Sequence, residues 1–300
     1  MASETITSAA AGTWNLGDLT VNRLGFGTMR LTGAAPFHLG TPSDRERSIT
    51  VLRRAVELGV NHIDTAAFYF SRLRSANELI NRALAPYPDD LVIVTKVGPS
   101  RDTSGEWQPP ATPEQLRGQV EENLRQLGRD HLDVVNLRRQ QGQNSIAEHF
   151  GALAELRTTG LIRHLGLSGV TVEQLTEAQA IAPVVCVQNR YSLDHRGADD
   201  VLRACGDQNI AFVPFFAVAG RGATMGASGT DREEIRAIAR AHGATTAQVR
   251  LAWTLHQGPH LLAIPGTSNP HHLVQNVAAG ALRLSPEELA SLDYQVSGDQ

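Results

Sequence analysis

Eight short apolar stretches rich in β-branched residues recur along this chain, and a helical pattern follows nearly every one of them. The stretches are 23–27, 60–64, 91–96, 132–137, 162–168, 184–188, 210–214 and 261–264. Helical periodicity marks 44–58, 74–84, 112–127, 146–158, 172–181, 198–206, 231–242 and 245–257. In 112–127, Leu116, Val120, Leu124 and Leu127 recur at helical spacing, with Thr112 placed to cap the start and Pro113 in the first turn. Ser285, Pro286 and Glu288 read as the capping-box start of a last helix. Eight strands alternating with helices over about 250 residues predict an α/β fold, a (β/α)8 TIM barrel.

The competing topology is an open doubly wound sheet, which carries a glycine fingerprint after its first strand. Here that turn reads Gly25-Phe26-Gly27-Thr28-Met29, without the third glycine and leading into a long loop. The barrel is the expected fold. No linker or shift of composition divides the chain, so residues 13–300 are expected to form a single barrel domain. Residues 13–21 read as a small β-hairpin with Gly17-Asp18 at its turn, placed to plug the barrel bottom. Residues 1–12 have neither a basic segment nor a long apolar one and read as a disordered tail, not a signal peptide.

Hydrophobic residues make up 41% of the 300 and charged residues 19%, a globular balance. The net charge of −4 and the lack of any basic block argue against a nucleic-acid or anionic-membrane partner. No apolar run reaches the roughly 18 residues of a membrane helix. Cys186 and Cys205 are too few for a disulfide framework. A cytoplasmic monomer is expected.

In a barrel of this kind the active site lies where the strands end. Strand two ends in Asp64, with Tyr69 five residues on. Strand three ends in Lys96, strand four near Asn136 and Arg138, strand five in Ser168 and strand six in Gln188. A polar residue at a strand–loop junction is common, but five on one face are not. Lys96 is also the chain's single lysine among 27 basic residues. It follows the run Leu91-Val92-Ile93-Val94-Thr95, so its ammonium is expected to be buried and to need a carboxylate, which Asp64 can supply. A buried ion pair is weak evidence for stability and makes more sense as a device that sets a neighbouring pKa. Tyr69 is the expected neighbour, because an ammonium favours the phenolate and draws the phenol toward use as a proton donor.

These residues resemble a known family. The run from His62 to Tyr69 is similar to the signature of the aldo-keto reductases, as are Val94-Thr95-Lys96-Val97 and the segment from Leu132 to Arg138. Gly166-Leu167-Ser168, Val187-Gln188 and Ile264-Pro265-Gly266-Thr267-Ser268, followed by Gln275-Asn276, fit as well. The resemblance implies a barrel that binds NADPH in extended form and moves its hydride to an aldehyde or ketone. It makes Tyr69 the general acid, Lys96 the group acting on it and Asp64 the holder of Lys96. It also implies cofactor contacts from Gly27, Thr28, Met29, Asp64, Ser168, Gln188, Phe215, Phe216, Thr267, Ser268, His272, Gln275 and Asn276.

The chain departs from the family's pattern in several places. Arg138, with Arg139 beside it, stands where the family usually has a catalytic His. An Arg can only donate and stays charged, so Arg138 is expected to polarise the carbonyl or to bind a substrate anion. Gly169 replaces the Asn that usually follows the carboxamide serine, and Phe215 replaces the usual Tyr or Trp that stacks on nicotinamide. Gly266 and His272 take the places of a frequent Lys and Arg, removing fixed charge from the expected 2′-phosphate site. NADPH is favoured, with NADH the alternative. A metal site at His271-His272 is set aside, since neither Cys nor suitably spaced carboxylates accompany it.

Residues 98–112 and 215–230 are long enough to form the pocket, the second being glycine-rich as a cofactor cover would be. Phe68, Phe70, Met29 and Trp107 are candidate walls, and Arg138 and Arg139 candidate substrate contacts. Two rival readings remain: a Schiff-base aldolase using Lys96, and a cofactor-binding protein with little turnover.

Overall fold

The structure, a computed structural model, describes residues 6–33, 40–218 and 231–293. An antiparallel hairpin of β1 (Thr13–Leu16) and β2 (Leu19–Asn22) precedes seven parallel strands. These are β3 (Phe26–Gly27), β4 (His62–Asp64), β5 (Val92–Val97), β6 (Leu132–Arg138), β7 (Ile162–Ser168), β8 (Val184–Gln188) and β9 (Ala211–Phe212), each paired to the next in chain order. The sheet closes through residues 261–263. Ala263 bridges Leu24 beside β3, and Leu261 bridges Phe212 of β9. The backbone N–H of Gly25 donates to Ala263 at 2.8 Å and that of Leu262 to Phe212 at 3.0 Å. The result is the expected barrel.

The strands at the seam are shorter than expected. The stretch 23–27 keeps ladder geometry only at Phe26–Gly27, 210–214 only at Ala211–Phe212, and 261–264 contributes single bridges. Pro214 ends the second of these segments and Pro265 follows the third, and neither brings an N–H to a ladder.

The helices are α1 (Arg45–Glu57), α2 (Ala76–Leu84), α3 (Pro113–Leu127), α4 (Ala147–Thr158), α5 (Val172–Gln179), α6 (Asp199–Asp207), α7 (Glu233–Ala241), α8 (Thr246–His256), α9 (Pro270–Ala278) and α10 (Pro286–Asp293). The start of α3 is closed as expected, the Thr112 N–H donating to the Gln115 side chain at 3.0 Å. Its buried stripe, however, is Leu116, Val120, Asn123 and Leu127, with Leu124 only half-buried. Among the described residues no helix is long and apolar enough to cross a membrane.

Side-chain alternation sorts each strand into two layers. Ile93 and Val97 of β5, Val135 and Leu137 of β6, and Leu165 and Leu167 of β7 pack outward under the helices. Val92, Val94, Val134, Cys186, Ala211, Val213 and Leu262 fill the barrel interior. Leu16 and Val21 of the hairpin join that interior cluster, so the hairpin does plug the bottom. Asp18 at its tip pins it there, pairing with Arg163 at 2.6 Å and His164 at 2.5 Å.

The tail is not loose throughout. Residues 1–5 lie outside the described residues, but Ser8–Ala11 form a 3-10 turn. Its Ser8 N–H donates to Leu58 at 2.8 Å and its hydroxyl to the carbonyl of Leu24. Small side chains allow this fit, since Ala11 lies directly against Gly280.

Candidate active site

The same alternation that sends Val92 and Val94 into the barrel sends Lys96 there, one layer higher. By the same parity Asp64 on β4, Arg138 on β6, Ser168 on β7 and Gln188 on β8 face the interior at the strands' carboxyl ends. The register sets Arg138 opposite Ser168 and Ser168 opposite Gln188.

Lys96 Nζ donates to Asp64 Oδ1 at 2.6 Å and to the carbonyl of Thr65 at 3.0 Å. It is also hydrogen-bonded to the Tyr69 side chain, and lies 5.2 Å from that ring's centroid. Gln188 Nε2 holds the other carboxylate oxygen, Oδ2, at 2.5 Å. All four groups are buried. A short turn delivers Tyr69: its N–H donates to Ala66 and its carbonyl accepts from Ala76, both at 3.0 Å.

The electrostatics differ in one respect from expectation. Burial raises the Tyr69 pKa, while Lys96 and Arg138 pull it down; burial wins, and the phenol ends above its ordinary value. Tyr69 is therefore a protonated donor held back from still greater weakness by two cations. For Lys96, burial acts downward but is outweighed by Asp64 and Tyr69, so its pKa is raised and it remains an ammonium. Below the pair, His62 is fully buried with no partner among the described residues on either ring nitrogen. Burial lowers its pKa to about 4, Asp64 opposing and Lys96 adding to the shift.

A cavity of about 420 Å³ stands over this cluster, lined by Met29, Asp64, Phe68, Tyr69, Lys96, Pro99, Trp107, Arg138, Phe215 and Phe216. Phe68 packs edge-on against Tyr69 with centroids 5.1 Å apart, and Trp107 lies 5.7 Å from Phe68. The Arg138 guanidinium is stacked 4.9 Å over Phe215, and its Nη1 donates to Ser168 Oγ at 3.0 Å. No carboxylate among the described residues pairs with it; burial lowers its pKa, Tyr69 opposing. Gly169 makes room for this guanidinium. It takes a left-handed φ of +73°, and a Cβ there would lie 3.3 Å from Arg138 Nη1. Arg138 and Gly169, thirty-one residues apart in the chain, thus meet in space.

A second groove leads from the cluster past Gly27, Met29, Arg30, Phe215, Phe216 and Ile264 to Gly266. Gly266 and Gly27 lie back to back, and a Cβ on Gly266 would sit 2.3 Å from the Gly27 carbonyl oxygen. Close packing therefore bars a longer side chain at 266. Beyond it Thr267 Oγ1 accepts from the Asn269 N–H at 3.0 Å, and Asn269 caps α9. Ser268 lines an adjoining groove with Arg30 and Arg47. His272 is exposed on α9, which also carries Gln275 and Asn276.

Three expected contacts fall elsewhere. Thr28 turns its buried hydroxyl to the Asp64 carbonyl at 3.1 Å and to Thr65 Oγ1 at 3.0 Å. Phe70 lines a neighbouring cavity of about 780 Å³ between the 98–112 loop and α3, which shares Phe68, Lys96 and Pro99 with the first. Arg139 is tied down, donating to the Gly169 carbonyl at 2.6 Å. The glycine-rich cover expected at 215–230 lies outside the described residues from 219 onward.

Sequence reasoning missed the buried polar network behind Lys96. Thr65 Oγ1 donates to Asn77 Oδ1 at 2.8 Å, Asn77 Nδ2 to Asn123 Oδ1 at 2.9 Å, and Thr95 Oγ1 to the same oxygen at 2.6 Å. The one available signal was an Asn set in the apolar stripe of α3. His62 and Arg101 were missed too.

The chain matches the model of the aldo/keto reductase family over residues 23–296. It is 46% identical over 290 residues to pyridoxine 4-dehydrogenase of Escherichia coli K12, covering 95% of this chain and 98% of that protein. An uncharacterised oxidoreductase of Schizosaccharomyces pombe is 38% identical, over 98% of this chain and 93% of its own. Among solved structures, an aldo/keto reductase from Klebsiella pneumoniae in complex with NADP and acetate superposes with a TM-score of 0.77 at 29% identity, covering 94% and 93% of the two chains. The glycerol dehydrogenase of Gluconobacter oxydans shares the fold, with a TM-score of 0.80 at 23% identity over 96% of each chain. The barrel, the cluster at its carboxyl end and these likenesses agree: the chain belongs to the aldo/keto reductase family and is an oxidoreductase.

Proposed function

We propose that this protein uses NADPH to reduce an aldehyde, with Tyr69 as the proton donor, and that it runs the same step in reverse on the alcohol. The observation that carries this reading is the Lys96 ammonium joined to both Asp64 and Tyr69 on the floor of an aromatic cavity. When bound, the nicotinamide supplies the hydride. Gln188 fits its carboxamide: Nε2 is engaged by Asp64, leaving Oε1 buried with no partner among the described residues and available to the amide N–H. Phe215 offers a ring face for stacking, and Ser168 Oγ a second polar contact. NADP(H) is supported by relatives of this chain that bind it, including the Klebsiella pneumoniae enzyme. Thr267, Ser268 and the N-terminus of α9 are the groups proposed for its phosphate.

Tyr69 gives its proton to the carbonyl oxygen as the hydride arrives at carbon, and Lys96 stabilises the tyrosinate left behind. Asp64 keeps Lys96 charged and in place, which argues against a Schiff base, since that chemistry needs a neutral amine. Arg138 takes the position of the family's histidine and holds a substrate oxygen. Every group named comes from one chain, so a monomer suffices.

The relative named pyridoxine 4-dehydrogenase suggests the substrate class: a flat heteroaromatic aldehyde with an ionisable hydroxyl beside the carbonyl. The walls Phe68, Trp107, Phe215 and Phe216 suit such a ring, and Arg138 suits the oxygen anion. The test is NADPH consumption with pyridoxal, benzaldehyde and aliphatic aldehydes, and NADP reduction with pyridoxine. Tyr69→Phe is expected to abolish consumption and spare NADPH binding; retained turnover overturns the proton donor. Arg138→Met is expected to raise KM for pyridoxal far more than for benzaldehyde. An equal change for both would place Arg138 on the carbonyl instead.

A further inference from the structure

The loop after β5 carries an arginine with an unusual set of partners. Arg101 is 8% exposed and makes no ion pair among the described residues. Its Nη1 donates to the carbonyls of Phe68 at 3.2 Å and Phe70 at 3.1 Å, the two residues on either side of Tyr69. Its Nε donates to Gly105 at 2.9 Å, within its own loop. The guanidinium lies 4.5 Å from the centroid of Phe70 and 5.8 Å from that of Trp107. The loop is built to present it: Arg101 bridges Trp107, the Asp102 N–H donates to Glu106 at 3.0 Å, and the Asp102 carboxylate accepts from the Ser104 N–H at 2.9 Å.

One guanidinium therefore joins three things that sequence separates: the backbone on both sides of Tyr69, the turn at 102–106, and the Trp107 wall of the cavity. A lysine would reach the carbonyls, but only a planar fork also serves Gly105 and stacks on two rings. The charges that act most on Tyr69 are Lys96, Asp64 and Arg138, not Arg101, whose hydrogen bonds go to the backbone around it, so its influence is one of position.

We propose that Arg101 is a positioning residue, a clamp that sets Tyr69 and latches the 98–112 loop over the reacting carbonyl. This rests on the proposed role of Tyr69. A misplacement of about 1 Å in a reacting group slows catalysis by about 100-fold, which bounds the expected effect.

The test compares Arg101→Met and Arg101→Lys with the wild type in single-turnover NADPH oxidation by an aldehyde substrate. Arg101→Met is expected to slow hydride transfer by about 10- to 100-fold and to raise the aldehyde KM. NADPH affinity and the pH midpoint of the rate should stay put, because neither the cofactor groove nor the charges around Tyr69 change. Arg101→Lys should recover part of the rate. Wild-type transfer in Arg101→Met, a displaced pH midpoint, or no recovery with Lys each overturns the proposal. Should Arg101→Met not fold, Arg101→Lys decides alone: slowed transfer with unchanged NADPH affinity supports the clamp, and wild-type transfer defeats it. If the wild type itself consumes no NADPH with any aldehyde, the proposed function fails, and the latch is read without turnover. Acrylamide quenching of Trp107, isolated by subtracting a Trp107→Phe chain, should rise in the Arg101 variants; equal quenching counts against the latch.

Discussion

Replacing Asp64 with Asn isolates the ion pair at the centre of the site. The change keeps the side chain's size and removes the carboxylate that pairs with Lys96 at 2.6 Å. The two side chains are 6% and 4% exposed, so solvent screens little of the loss. Removing one partner of such a buried pair costs about 3–5 kcal/mol. At about 2 °C per kcal/mol for a chain of this length, Tm should fall by about 6–10 °C. The pH dependence should also change sign. In the wild type the folded-state pKa of Lys96 is raised. Its stabilisation is therefore present below the unfolded lysine value and lost as pH rises through the folded one. In Asp64→Asn, burial acts with its main opponent gone and the folded pKa drops below the unfolded one. Stability should then climb with pH up to the unfolded value, by at most about 1.4 kcal/mol per unit. Urea unfolding at pH 7, 8 and 9, followed by tryptophan emission, measures both effects. The double variant Asp64→Asn/Lys96→Met should regain most of the loss, because no charge is left buried. A single variant within about 1 kcal/mol of wild type, or one with no upward slope, would refute the reasoning.

Two further expectations concern the floor and the seam. Because burial holds His62 at about 4 in the folded state, against about 6.5 unfolded, stability should be full above pH 6.5 and fall by about 3 kcal/mol between 6.5 and 4. In His62→Leu that part of the acid slope should vanish, and unfolding midpoints at pH 7, 5.5 and 4.5 check it; an unaltered slope assigns the loss to other groups. Gly266→Ala should destabilise by about 1–3 kcal/mol and weaken NADPH binding, since its Cβ would meet the Gly27 carbonyl at 2.3 Å. An unchanged melting temperature would mean that the seam between β3 and 264–266 yields easily.

Much of the architecture was legible because it rests on local periodicity. The alternation of strands and helices, the Gly17-Asp18 hairpin and the start of α3 at Thr112 and Pro113 all follow from patterns a few residues long. The strand ends at the seam were misjudged where prolines interrupt the ladder. Leu124 was expected in the buried stripe that Asn123 in fact occupies. Of the pocket residues, Phe68 and Trp107 line the cavity, while Phe70 and Arg139 face other surroundings. An aromatic or basic residue in a loop carries no periodic mark of the direction it faces.

The sequence by itself determined that Asp64, Lys96, Arg138, Ser168 and Gln188 end strands of one barrel, and strand parity alone sends them inward. It also singled out Lys96 as an amine with nowhere to go but toward a carboxylate. Only the tertiary structure decided how strongly each group is buried, and so that the Tyr69 phenol ends above its ordinary pKa although two cations pull it down. Only the structure joined Arg101 to the peptides around Tyr69, Asn77 to Asn123, and Arg138 to Gly169. The physical reason is distance along the chain. Desolvation and hydrogen bonding between loops arise from segments tens of residues apart, and no local pattern encodes which of them will meet.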